Sequence, residues 1–284
     1  MVGEGAADNP RANAMFEKAK AAEDSGRTGK AIKLYDELAD EIPYADRAGE
    51  ARYRQAQLLE KEGEAFEAFE AYQDLLKNKT GSGFYQQALD RQTQLAFGAA
   101  DGEIKKRVLG LKARASTTEV VKMLNNLAGN APRSPVAARA SLKVAEIYES
   151  EDKTSEAVKA YQQVVVNYPN SPEAPEAQFR IGQALLGAAR DGNQDQANLQ
   201  RASESFRDYL NQYPGHKRNG EARKLLKNID GRDVQNTYEI AQFYEKKGNK
   251  SSARFYYQEV VRKTKSGDLH DRAQARLNAL GGDN

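Results

Sequence analysis

The sequence predicts an all-α solenoid of about five to six helix pairs. Three observations carry that prediction: a self-similar unit recurs along the chain, proline and glycine punctuate it at matching places, and the composition favours helix. The clearest unit is SLKVAEIYESEDKTSEAVKAYQQVVVNYPNSP, from Ser141 to Pro172. Val144, Ala145 and Tyr148 stand at helical spacing there. A polar turn follows, Ala157, Tyr161 and Val164 repeat the spacing, and Tyr168-Pro169 closes the unit. A unit that cannot bury its apolar face alone does so by stacking on its neighbours.

The elements follow from a ruler, the small or apolar residue early in each second helix. It falls at Ala31, Ala68, Val120, Ala157, Ala202 and Ala253. Four residues on stand Tyr35, Tyr72, Leu124, Tyr161, Phe206 and Tyr257, and three further Leu38, Leu75, Leu127, Val164, Tyr209 and Val260. The i, i+4, i+7 pattern is one face of a helix. First helices carry the pairs Lys18-Ala19, Gln55-Ala56, Leu95-Ala96, Val144-Ala145, Ile181-Gly182 and Ile240-Ala241, where the small residue lets two helices cross closely. Pro43, Pro132, Pro169 and Pro214 end second helices. Ser134-Pro135 and Ser171-Pro172 read as N-cap followed by first helical residue. Gly26, Gly63 and Gly248 mark the turns inside units.

Three stretches depart from the plain unit. Residues 102–116 read as a helical spur with Ile104, Val108 and Leu111 on one face. Arg190–Asn198 reads as a polar loop. His216–Tyr238 reads as a long first helix interrupted near Asp230-Gly231. The expected organisation is a tail over 1–10, N-terminal repeats over 11–133 containing that insertion, C-terminal repeats and terminal helices over 134–280, and a tail over 281–284.

Composition narrows the function. The chain has 284 residues, with 43 basic against 41 acidic, and no cysteine. That balance gives no case for nucleic acid, which calls for a basic stripe. The missing cysteine removes disulfides, thiolate metal sites and thiol nucleophiles. No apolar run approaches the roughly 20 residues that span a bilayer. The start, MVGEGAADNPRANA, has neither a basic nor an apolar leader region. His216 and His270 lack partners at metal-ligand spacing. Gly26-Arg27-Thr28-Gly29-Lys30 lacks the first glycine and the strand of a phosphate loop, so it reads as a turn. Gly81-Ser82-Gly83 reads as a flexible linker. Carboxylates such as Glu60 and Glu64 read as a solvated helix face. No catalytic constellation emerges and no cofactor is implied, so a binding scaffold is expected rather than an enzyme.

The small residue, the aromatic four on and the closing proline resemble the tetratricopeptide repeat. The longer unit with the ending YPNSP, the loop RDGNQDQ, and the segments ASESFRDYLNQYP and TYEIAQFYEKKGNKSSARFYYQEVV resemble the BamD family of outer-membrane lipoproteins. That resemblance implies a right-handed superhelix, a periplasmic scaffold in β-barrel assembly, and a lipid on an N-terminal cysteine that this chain does not contain. The implied partners are a BamA-like barrel assembly protein, accessory lipoproteins, and the C-terminal peptides of unfolded outer-membrane proteins. The implied location is the periplasmic face of the outer membrane. The membrane would be met only through the lipid anchor, and the protein alone would be a monomer.

The repeat family's groove positions lie one residue after the small residue of each first helix and three before it. Here they are Phe16 and Lys20, Tyr53 and Gln57, Thr93 and Phe97. Two readings stand for these residues: a peptide groove, or packing between neighbouring repeats. Arg232 aligns with the arginine by which the BamD family contacts BamA; as an ordinary residue it is a surface charge. Two alternatives remain open for the whole chain, a Tol-Pal-type envelope-coordinating scaffold and a cytoplasmic adaptor.

Overall fold

The computed structural model describes residues 9–78, 82–108, 111–191 and 195–281. The chain forms two compact units, one ending at Glu173 and one starting at Ala174. The break comes one helix pair later than the expected boundary at 133/134.

The first unit holds α1 (Pro10–Asp24), α2 (Thr28–Glu41), α3 (Asp46–Lys61), α4 (Ala65–Asn78) and α5 (Tyr85–Ala100). It continues with β1 (Lys105–Val108), β2 (Leu111–Arg114), α6 (Thr117–Asn130), α7 (Pro135–Ser150) and α8 (Thr154–Asn167). The second unit holds α9 (Ala174–Asp191), α10 (Asp195–Gln212), α11 (Asn219–Lys246), α12 (Lys250–Lys263) and α13 (Asp268–Gly281). Within each unit consecutive helices pack as antiparallel pairs, giving the tetratricopeptide-repeat layout: six pairs and a closing helix among the described residues.

The ruler residues hold the core. Ala31, Ala68, Ala157, Ala202 and Ala253 are fully buried, and so are Tyr35, Tyr72, Leu124, Tyr161, Phe206 and Tyr257 four residues on. Ala19, Ala56, Ala96, Ala145 and Ala241 face them from the first helices with no exposed surface. Gly182 replaces alanine in the fifth pair because a Cβ there would lie 2.7 Å from the Phe206 ring.

Helix ends follow the punctuation. Pro43, Pro132, Pro169 and Pro214 each stand two residues past a helix end. Ser134 caps α7 by accepting from the Val136 amide at 3.3 Å. Ser171-Pro172 instead lies in a turn in which Ser171 N–H donates to the Tyr168 carbonyl at 2.9 Å, and α9 starts only at Ala174. Gly26, Gly63 and Gly248 take φ of +72°, +82° and +75°, each two residues after a first helix. In the fourth pair Asp152 takes that position at +58°.

The expected spur over 102–116 is a β-hairpin, with Lys105 opposite Arg114 and Val108 opposite Leu111. The helical spacing of Ile104, Val108 and Leu111 misled because short apolar runs fit both periods. Gly102, at φ +75°, ends α5. A helix over the remaining stretch would be too short to persist alone and would contain Gly110, at about 1 kcal/mol. The next helix is firmly started: Ser116 and Glu119 form a reciprocal capping box at α6.

Two other expectations change. α11 runs without a break through Asp230-Gly231, held by buried Ile229 and Val234 on either side. The polar loop over 190–198 shrinks, because Asp195–Asn198 already belongs to α10; 192–194 lie outside the described residues. The supposed linker at 81–83 is anchored where it is described: Ser82 packs so closely on Gly49 that a Cβ there would meet its Oγ at 2.6 Å. Of the expected tails over 1–10 and 281–284, Pro10 and Gly281 belong to α1 and α13, while 1–8 and 282–284, like Gly81, lie outside the described residues.

Candidate interaction surfaces

A motif of three side chains joins successive pairs. In each case a second-helix tyrosine donates its hydroxyl to a glutamate twelve residues upstream, near the end of the first helix. The pairs are Tyr35–Glu23 (2.7 Å), Tyr72–Glu60 (2.7 Å), Tyr161–Glu149 (2.6 Å) and Tyr257–Glu245 (2.7 Å). An arginine nineteen residues after the tyrosine, on the next helix, then reaches the same carboxylate. Arg54 meets Glu23 at 3.4 Å, Arg91 meets Glu60 at 3.1 Å, and Arg276 meets Glu245 at 3.2 Å. Burial pushes the Tyr35 and Tyr72 hydroxyls above the ordinary phenol value, and the carboxylate hydrogen bonds push further in the same direction. Glu60, expected on a solvated face, is therefore part of the frame.

The third pair has leucine at the tyrosine position and is held differently. Gln92, with no exposed surface, donates to Gln73 Oε1 at 2.8 Å and accepts from Asn130 Nδ2 at 2.8 Å; Gln73 donates to Asn130 Oδ1 at 3.0 Å. Tyr85 closes the set on the Asn130 carbonyl at 2.8 Å. Paired amides satisfy one another where an unpartnered amide would be costly.

Against this frame the six groove positions divide. Phe16 corrects the groove expectation. It is 2% exposed, packs on Tyr35 at 5.6 Å, and lies under the guanidinium groups of Arg47 (4.7 Å) and Arg54 (5.7 Å). Tyr53 is half-buried and stacks on Phe84 at 4.9 Å. Phe97 is half-buried with Arg139 of α7 over its ring at 5.1 Å. Thr93 bonds back to the Leu89 carbonyl at 2.7 Å. Lys20 pairs with Asp24 at 3.5 Å, and Gln57 is exposed. Cation–π contacts between successive first helices recur in the second unit, with Arg218 over Phe179 at 3.8 Å and Arg272 over Tyr238 at 5.4 Å. Packing between repeats thus takes up part of the aromatic surface.

In the second unit Arg232 is exposed on α11. It begins a stripe, Arg232, Asn236, Ile240 and Phe243, at spacings that share one helix face. Ile240 and Phe243 are 41% and 55% exposed, and with Asn236 and Lys263 they line a shallow cleft. Gln196, in the first turn of α10, also lines this cleft and reaches Asp233 at 2.8 Å. Burial tends to raise the Asp233 carboxyl, but hydrogen bonds from Lys263 (2.8 Å) and Gln196 hold it below the usual range.

The histidines are structural. His216 Nδ1 lies 2.6 Å from the Tyr209 hydroxyl, and His270 Nδ1 lies 3.1 Å from the Thr264 carbonyl. Among the described residues no cluster of histidine, aspartate and glutamate has metal-binding geometry. Nor is any described helix long and apolar enough to cross a membrane.

The family model YfiO, outer membrane lipoprotein, matches residues 109–277. The chain belongs to the YfiO family. YfiO is the BamD family of the sequence resemblance. Tetratricopeptide-repeat models match residues 3–46 and 50–78, so this YfiO member is a repeat scaffold for protein interaction. No curated protein matches the sequence. Among solved structures, the P58(IPK) TPR domain shares 16% identity over 95% of this chain and 78% of that one, with a TM-score of 0.39. A tetratricopeptide repeat protein from Parabacteroides merdae shares 12% identity over 95% and 98%, with a TM-score of 0.32. YrrB, a TPR protein with an unusual peptide-binding site, shares 15% over 85% and 97%, with a TM-score of 0.32.

Proposed function

We propose that this YfiO-family member is a non-enzymatic scaffold at the periplasmic face of the outer membrane, serving β-barrel assembly. The observation that carries the reading is the match of residues 109–277 to a family of outer-membrane lipoproteins. In this reading the first unit receives the C-terminal segment of an unfolded barrel protein along Lys20, Tyr53, Gln57, Thr93 and Phe97. Phe16 serves as the buried support beneath. Half-buried rings offer contact area at small entropic cost, and Lys20 offers a cation to a terminal carboxylate. The second unit docks a BamA-like protein through Arg232 and the stripe that ends in Ile240 and Phe243, with accessory lipoproteins as further partners.

Two measurements test this. A labelled peptide with a C-terminal aromatic residue should bind, and Tyr53→Ala with Phe97→Ala should weaken it by about tenfold, the range of a lost aromatic anchor. Equal affinity for both proteins would return those rings to packing alone. Separately, BamA-like periplasmic domains should co-purify with the wild-type chain and less with Arg232→Glu. Undiminished capture by that variant would remove Arg232 from the interface.

A further inference from the structure

We infer that the first unit carries a second docking site, a cleft of ≈ 720 Å³ that takes a basic, amphipathic segment of another protein. The cleft is bounded by α2, α3, α4 and α6. Its floor is apolar: Leu59, Phe66, Phe69 and Met123. Its walls carry five carboxylates, Asp36, Glu67, Glu70, Asp74 and Glu119, against two cations, Arg52 and Lys122. The surplus of three negative charges stands in a chain whose overall charge is +2.

The two cations do not cancel that surplus. Arg52 is buried, and its guanidinium is shared by Asp36 (2.5 Å), Asp74 (2.7 Å) and Asp40, one cation to three anions. Its role is to fix those carboxylates on the wall, since an unpaired buried arginine would be costly. Lys122 meets Glu70 at 2.8 Å, but both side chains are more than half exposed. Such a surface pair contributes little and is readily exchanged for an incoming cation.

This chemistry selects the occupant. Carboxylate walls repel phosphates, anionic lipid and a free C-terminal carboxylate, while the apolar floor has nothing to offer a hydrated small ion. A segment with lysine or arginine on one side and leucine or phenylalanine on the other satisfies both. The site is separate from the groove proposed above. On α3 the cleft uses Arg52, Gln55 and Leu59, whereas the groove uses Tyr53 and Gln57, a different stripe of the helix.

The test is fluorescence anisotropy on the full chain. The probe is a short fluorescein-labelled peptide of leucine and lysine at helical spacing; a control replaces lysine with glutamate. The lysine probe should bind, lose affinity as salt is raised, and bind the Glu67→Gln, Glu70→Gln double variant about tenfold more weakly, as lost charge pairing predicts. Both substitutions lie on exposed helix surface, and circular dichroism checks the fold. Phe66→Ala should weaken binding as well. Tyr53→Ala should leave it unchanged, which separates this site from the peptide groove. Equal binding of the glutamate control, an affinity indifferent to both variants, or a loss with Tyr53→Ala alone would each overturn the inference.

Discussion

Tyr72 shows how one hydroxyl ties two repeats together. Its ring fills the space beside Ala68, and its oxygen reaches Glu60, which Arg91 of the next helix also holds. Removing the hydroxyl leaves a carboxylate, 14% exposed, with one partner fewer. Hydrogen bonds to charged groups contribute about 1.5–3 kcal/mol, so Tyr72→Phe should lower stability by about 1–2 kcal/mol in urea unfolding. Tyr44→Phe, at an 81% exposed position, should change nothing measurable. A Tyr72→Phe midpoint equal to wild type would show that the triad is an incidental surface pairing. The sequence carried this motif as glutamate, then tyrosine at +12 and arginine at +31 from the glutamate, in several repeats. It goes unread because charged residues on helices are ordinarily solvated, and only the crossing of two helices brings the three together.

At the scale of elements, α11 is the informative case. Glycine in a helix interior costs about 1 kcal/mol relative to alanine, which is why Asp230-Gly231 looks like a break. The helix continues because the residues around it, Ile229 and Val234, bury against neighbours in the second unit, and packing outweighs local propensity. Gly231 does not take a positive φ, and a Cβ there would meet nothing within 4 Å. Gly231→Ala should therefore raise stability by about 0.5–1 kcal/mol. A loss on thermal or urea unfolding would mean that the chain turns there after all. The hairpin at β1 and β2 makes the converse point. Local pattern allowed a helix, but Gly102, at φ +75°, redirects the chain, and the hairpin that follows packs against α4.

Across the whole molecule the same tyrosine positions recur in both units, and their titration gives a global reading of the repeats. Burial raises Tyr35, Tyr72, Tyr209, Tyr213 and Tyr257 above the ordinary phenol value. The unfolded chain therefore releases these protons first as pH rises, so the native state holds more protons and loses stability. Each tyrosine removes up to about 1.4 kcal/mol per pH unit above about pH 10. Tyrosinate absorbance and loss of helical circular dichroism should rise together above that pH. Full ionisation with helicity intact would show these hydroxyls to be open to solvent. By itself the sequence determined the repeat register, the proline-marked ends of second helices and the family, because small residues, aromatics and prolines act through spacing along one chain. Only the tertiary structure decided which rings are core and which are surface. It buried Phe16 under Arg47 and Arg54, left Ile240 and Phe243 exposed on α11, and gathered five carboxylates around one cleft. Each of those outcomes depends on what the neighbouring helix brings, and no local spacing encodes that.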